Sequence, residues 1–388
     1  MRFHAALATG ADLEAACRAA AEEIRRALGD GPIDLAMVFA STRYGADIDR
    51  LPVLLQELLQ PRTLVGCSGA AVVTATQACE NRHAITVLAG RLPGVDIDAA
   101  AIGTADLPDA DGPPGAWRDL LPPRAAHASG LLVLCEPFHF DANALLAGLD
   151  FAFPGVPKAG GIASGSRHPE GHSLFLGRST HRTGAIVLAL TGNVVLDTVI
   201  AQGCRPIGRP GRVSRSDRSR LLAVDDAPVQ KFIEEQLCNL SPEDLTLADD
   251  SPLFLGIATD PFAERTEAGG YLVRNVVGFD REGALVVAGD LGIGRQIQLH
   301  LRDRQSGTED LERQLQLAAP TQSAAALLFR CLGRAGPDHE QFARQAPGVP
   351  LAGFHCNGEI GTFGDTTHLH GYTAAIALLR PRDGADAR

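Results

Sequence analysis

The sequence is poor in aromatics and almost devoid of lysine. Phe, Tyr and Trp make up 5% of the 388 residues, and Trp117 is the single tryptophan. That scarcity argues against an extended stacking platform for single-stranded nucleic acid, which rests successive bases on aromatic rings. Lys158 and Lys231 are the only lysines, so arginine carries nearly all the positive charge, and the formal net charge is −11. General binding to DNA or to an anionic membrane needs clustered cations, so neither partner is expected. A small anion needs only one or two well-placed arginines and remains open.

Other signals are missing too. No apolar run approaches the roughly 18 residues of a membrane-spanning helix. The first residues, MRFHAALATGADLEAACRAA, lack the apolar core of a secretory signal. The eight cysteines (Cys17, Cys67, Cys79, Cys135, Cys204, Cys238, Cys331 and Cys356) form no C-x-x-C pair and no zinc spacing. They read as reduced thiols and, with the missing signal, point to the cytoplasm.

What is present is an ordinary globular composition, 45% hydrophobic and 21% charged, in a chain long enough for two domains. Residues 11–29 have helical periodicity, closed by Gly29-Asp30-Gly31-Pro32. A buried strand over 33–41, a helix around 47–59 and a glycine turn at Gly66 follow. The same order recurs with a strand at 131–137, a helix near 141–149 and Gly160, and again with a strand at 326–332, a helix near 338–346 and Gly353. Another apolar run succeeds each turn, at 83–90, 184–190 and 372–379. Three matching spacings indicate three strand–helix–glycine turn–strand units, and so an α/β fold with mixed sheets and flanking helices. Residues 103–129 read as a surface loop or linker. The stretch 202–325 carries its own strands at 252–258, 271–279 and 283–289, which look antiparallel, with helices at 227–238 and 308–318.

A glycine after a buried strand allows close backbone approach, and successive N–H groups there can form an anion nest. Around the first turn, Gly66-Cys67-Ser68-Gly69 falls one residue short of a nucleophile elbow. The third turn gathers His355, Cys356, Asn357 and Glu359, with Asp365, His368 and His370 close behind. Such a set suits a metal site, a haem pocket, a Cys–His nucleophilic pair or a polar network holding a loop. His168 and His172 are separated by Pro169 and Gly171, which forbid helical presentation of a metal pair. Arg205, between Cys204 and Pro206, and Arg274, inside the apolar run YLVRNVV, must each pair, snorkel or bind something.

These stretches resemble the FIST family of bacterial sensory modules: VGCSGAAV (65–72), AQGCRPIG (201–208), YLVRNVVGFDREG (271–283), PLAGFHCNGEIG (350–361) and LHGYT (369–373). At the first turn the chain has Ala71-Val72 where the family usually has Gly-Glu. The resemblance implies a FIST N-like domain over 33–222 and a FIST C-like domain over 223–380, between an N-terminal helix region over 1–32 and a tail over 381–388 that reads as disordered. It implies a small-ligand-binding sensory protein, its ligand an amino acid or another small anion, signalling through a separate partner such as a histidine kinase. Arg205, Arg274, Asn275, Cys356, Asn357, Glu359 and His370 occupy the family's characteristic positions. Two alternatives stand beside this: a haem-binding nitric-oxide sensor using His355, His368 or His370, and an enzyme using Cys356 with His370.

Overall fold

The computed structural model describes residues 1–250, 252–260, 270–289 and 291–382. The chain is mixed α/β, and its described residues form three six-stranded mixed sheets and a fourth, antiparallel sheet. The tail expected at 381–388 falls outside the described residues from 383 on.

The first sheet is built on Leu35–Ser41, every residue of which is buried. Thr63–Gly69 lies parallel to it on one side and Ala84–Arg91 antiparallel on the other. In the second sheet Gly130–Cys135 has the same neighbours in Lys158–Ile162 and Ala185–Gly192. In the third they are Leu351–Cys356 and Thr373–Arg380 around Ala325–Cys331. An antiparallel edge strand completes one side of each: Arg2–Thr9, Val95–Ile102 and Val195–Gln202. The first of these replaces part of the helix expected over 1–32, which runs only over Leu13–Leu28.

The other side of each sheet is completed by a hairpin from a different part of the chain. Leu174–Leu176 and Ser179–His181 extend the first sheet, Glu359–Phe363 and Thr366–His370 the second, and Ala71–Thr74 and Ala78–Glu80 the third. Gly66, Gly160 and Gly353 sit where this exchange is tightest. Each lies opposite a residue of the parallel strand, Val38, Val133 and Leu328. A Cβ at these glycines would stand 1.8, 1.8 and 2.0 Å from the facing carbonyl oxygen. No side chain fits there, which explains a glycine in the middle of a strand.

The inner faces of the three sheets share one core. Phe39 stacks on Phe354 at 5.0 Å, and Phe329 meets both edge-on. Aromatic pairs of this geometry add about 0.5–1.5 kcal/mol each beyond their area. Helices cover the outer faces. Leu13–Leu28, capped by the Asp12 carboxylate, turns its apolar side to the first sheet. The stretch 103–129, expected as a loop, contains the short helix Pro114–Arg118, whose buried Trp117 lies against Gly148.

The fourth sheet runs from Cys204–Asp217 through Gln296–Arg302, Phe254–Ala258, Tyr271–Phe279 and Leu285–Val287 to Arg220–Val224. Cys204–Asp217 also pairs with Arg220–Val224, so these strands close into an antiparallel barrel. The boundary expected at 222/223 falls inside one of its strands. Val229–Cys238 packs Phe232 and Ile233 into the barrel core.

Candidate functional site

The three glycine turns meet and satisfy one another. Ser164 donates from its hydroxyl to the His355 carbonyl, and its Oγ accepts from Ala70 N–H at 2.9 Å. Ser164 N–H reaches the Ser68 carbonyl at 3.2 Å. Asn357 donates from its backbone to Ile162 and from its side chain to Ala163, both at 3.0 Å. These bonds place the turn groups in a closed network rather than an open anion nest.

Beside the third turn lies a cleft of about 750 Å³. Asn357 and Gly358 line it from the turn, and residues 369–372 from the strand end that returns to the third sheet. Asp141 and Asn143 come from the start of Ala142–Ala152, and Arg274, Asn275, Gly292 and Arg295 from the barrel. Four residues singled out in the sequence therefore converge here: Arg274, Asn275, Asn357 and His370.

Arg274 is half-buried, and burial holds its pKa below the usual guanidinium value. Among the described residues its side chain bonds only the adjoining Val273 carbonyl, from Nη1 at 3.3 Å, and no carboxylate pairs with it. Arg295, by contrast, donates to the Ala258 carbonyl at 2.6 Å. His370 is buried and its Nε2 lies 3.1 Å from the Gly361 carbonyl oxygen. Burial lowers its pKa to about 3, with His368 and Arg274 adding to the effect, so the ring is neutral at neutral pH.

Arg205 does not reach the cleft. Its guanidinium is held by Asp244 and, at 3.0 Å, by Asp303. It is a structural ion pair on the first barrel strand, not a free cation. Cys356 and Glu359 lie behind the cleft wall. The Cys356 thiol donates to Glu359 Oε1 at 3.3 Å, and Thr373 N–H donates to Oε2 at 3.1 Å. Both residues are fully buried. Burial raises the Glu359 carboxyl to about 8, against the opposing pull of Thr373 N–H and the thiol. Burial and the neighbouring carboxyl also push the Cys356 thiol well above its ordinary value. The thiol is thus bonded to Glu359 and carries no bond to His370, so the expected Cys–His nucleophilic pair is not formed.

Of the histidines considered for haem, His355 lies in a separate pocket of about 380 Å³. Its Nδ1 is 3.3 Å from Glu80, and burial, with Arg330 beside it, lowers its pKa to about 3. His370 has Nε2 committed to Gly361. His368 touches the His370 ring edge-on at 5.9 Å and does not line the cleft.

Sequence reasoning missed Tyr372, Arg295, Asp141 and Asn143. Tyr372 takes a left-handed backbone, φ 60°, which is unusual for a bulky residue. Its hydroxyl donates to Asn275 Oδ1 at 2.7 Å and its ring packs on Phe254 at 4.3 Å. Tyr372 therefore joins the barrel to the third sheet at the cleft wall. Beneath it a buried triad forms, with Asp338 accepting from Arg330 at 2.7 Å and Arg334 at 2.9 Å. The left-handed tyrosine is the one local signal in hand, and the sequence LHGYT carries it only as a bulky residue after a glycine.

The mixed α/β sheets and the barrel-lined cleft define a ligand-sized site at a junction of two folded parts. The FIST N domain matches residues 34–227 and the FIST C domain residues 232–362. The chain belongs to the FIST family, whose domains are sensory, signal-transduction domains. An uncharacterized protein of Mycobacterium bovis is 30% identical over 396 residues, covering 98% of this chain and 99% of its own. One of Mycobacterium tuberculosis strain H37Rv is 29% identical over 393 residues, covering 98% and 100%. A cyanuric acid hydrolase from A. caulinodans is similar at a TM-score of 0.28 and 10% identity, over 52% of this chain and 72% of that one. That likeness is too slight to bear on fold or chemistry. Among the described residues no helix is long and apolar enough to cross a membrane.

Proposed function

We propose that this chain is a sensor that binds a small anion, an amino acid or another small carboxylate, in the 750 Å³ cleft and passes its occupancy to a separate signalling partner. The observation that carries this is Arg274, a half-buried guanidinium at the cleft wall without a carboxylate among the described residues. An unpaired charge withdrawn from water is costly unless a counter-ion joins it, and the planar fork of arginine suits a carboxylate. The exposed amides of Asn143, Asn275 and Asn357 supply further donors and acceptors around it. The cavity volume lies within the range of small-molecule sites.

Thermal shift against a panel of amino acids, small dicarboxylates and inorganic phosphate tests the reading. A binding anion at about 100 times its Kd stabilises by about 2.7 kcal/mol. The rise in melting temperature should vanish in Arg274→Ala. A panel without any shift, or a shift that survives Arg274→Ala, would refute it. A haem reading would draw on His355, whose Nδ1 faces Glu80, on His368, or on His370, whose Nε2 faces the Gly361 carbonyl. The anion reading is preferred because the cleft presents Arg274, and a Soret band on haem titration, lost when His355, His368 or His370 is replaced by Ala, would reverse the preference.

A further inference from the structure

The barrel carries a basic hairpin in an otherwise acidic protein. Between 205 and 220 there are six arginines, Arg205, Arg209, Arg212, Arg215, Arg218 and Arg220, against a single acid, Asp217. Three of them are neutralised within the fold. Arg205 pairs with Asp244 and Asp303, Arg209 with Asp225 and Glu235, and Arg220 with Asp280 and Glu282. The other three, Arg212, Arg215 and Arg218, are exposed and form no ion pair among the described residues. The nearest carboxylate to Arg212, Asp225, is committed to Arg209 and to the Arg212 backbone N–H. Asp217 faces Arg220 at 3.8 Å. Arg218 also holds a left-handed backbone, φ 52°, at the hairpin tip. Such strain in a non-glycine residue persists where its surroundings impose it.

The turn over residues 291–295 is fixed to this hairpin. Leu291 N–H donates to the Arg218 carbonyl at 3.0 Å, and Gly294 N–H to the Val213 carbonyl at 2.8 Å. Ser216 donates from its hydroxyl to the Leu291 carbonyl at 2.6 Å, and Arg212 from Nη1 to the Gly294 carbonyl at 3.2 Å. The turn presents Ile293, 70% exposed, next to Gly294, which accepts from Arg212, and two residues after Leu291, which bonds the Arg218 carbonyl. Gly292 and Arg295 of the same turn line the cleft.

We infer that Ile293 and the hairpin arginines Arg212, Arg215 and Arg218, to which its turn is bonded through Arg212 and Arg218, dock a protein partner that presents carboxylates around an apolar patch. Charge complementarity selects the partner. The net charge of −11 disfavours general contact with an acidic protein, and these three unpaired arginines close together in sequence steer its approach to this hairpin. The exposed isoleucine favours a protein surface over a nucleic-acid backbone, which offers phosphates without an apolar pocket.

The probe is a fluorescein-labelled amphipathic peptide of repeating glutamate and leucine, followed by anisotropy with the full chain. Saturable binding should weaken about tenfold or more from low to physiological salt, as screening shortens the reach of the charges. The triple reversal Arg212→Glu, Arg215→Glu, Arg218→Glu should abolish binding. Ile293→Asp should weaken it while keeping the salt dependence. All four side chains are exposed, so unchanged circular dichroism and melting temperature should accompany these losses. Binding undiminished by the triple reversal, no binding at low salt, or tighter binding to duplex DNA or phosphatidylserine vesicles than to the peptide would each overturn the inference.

Discussion

Where the hairpin over 174–181 meets the first sheet, the seam between residues 42–48 and 165–171 holds about 280 Å³. Where the hairpin over 71–80 meets the third sheet, beside His339 and His355, it holds about 380 Å³. Where the hairpin over 359–370 meets the second sheet, it holds about 750 Å³. The three seams join corresponding elements, a hairpin leaving a glycine turn and the segment that follows a central strand. What separates the third is the barrel, which adds Arg274, Asn275, Gly292 and Arg295 to its wall. At the glycine turns the exchanged hairpins satisfy one another's polar groups. At the third seam the barrel adds Arg274, a half-buried guanidinium with no carboxylate partner among the described residues.

The comparison can be broken first at the scaffold. Gly66→Ala, Gly160→Ala and Gly353→Ala each force a Cβ onto a facing backbone carbonyl. All three should destabilise by about 4 kcal/mol or more, at the upper end for single substitutions. Denaturant melts that showed one of them neutral would separate that seam from the others. A smaller effect should appear behind the third seam. Glu359, held near 8 when folded, binds its proton more tightly in the native state than in the unfolded chain. Its contribution to stability is therefore full below about pH 4.5, falls as pH rises, and is lost above pH 8. Glu359→Gln, which keeps an acceptor for Thr373 N–H, should flatten that decline and raise the melting temperature at pH 8 by roughly 2–4 °C for each kcal/mol recovered. An unchanged pH profile would show that Glu359 is already ionised in the folded protein.

Much of the scaffold was legible in the sequence because buried strands and their glycines are local signals. The run 33–41 and Gly66 mark a strand and its tight crossing without knowledge of any partner. The hairpin exchange was not legible, since Gly66 faces Phe175, Gly160 faces Ile360 and Gly353 faces Val73, all far apart in the chain. The same limit divides the two arginines. Arg205 and Arg274 look alike in sequence, each a charge in or beside an apolar run. Asp244 and Asp303 stand beside one and, among the described residues, no carboxylate pairs with the other, and only the fold reveals it. Cys356 was weighed against His370, fourteen positions on, whereas its bond goes to Glu359, three positions on across the turn. Tyr372 was passed over because a left-handed tyrosine leaves no trace in composition.

The central claim is that Arg274, and not Arg205, holds an anion in the widened seam. Native mass spectrometry tests it most directly, on wild-type, Arg274→Ala and Arg205→Ala proteins purified identically and supplied with the carboxylate giving the largest thermal shift. The account predicts a one-to-one adduct on the wild type and on Arg205→Ala, and its loss from Arg274→Ala. An adduct retained by Arg274→Ala, or lost from a folded Arg205→Ala, would contradict it.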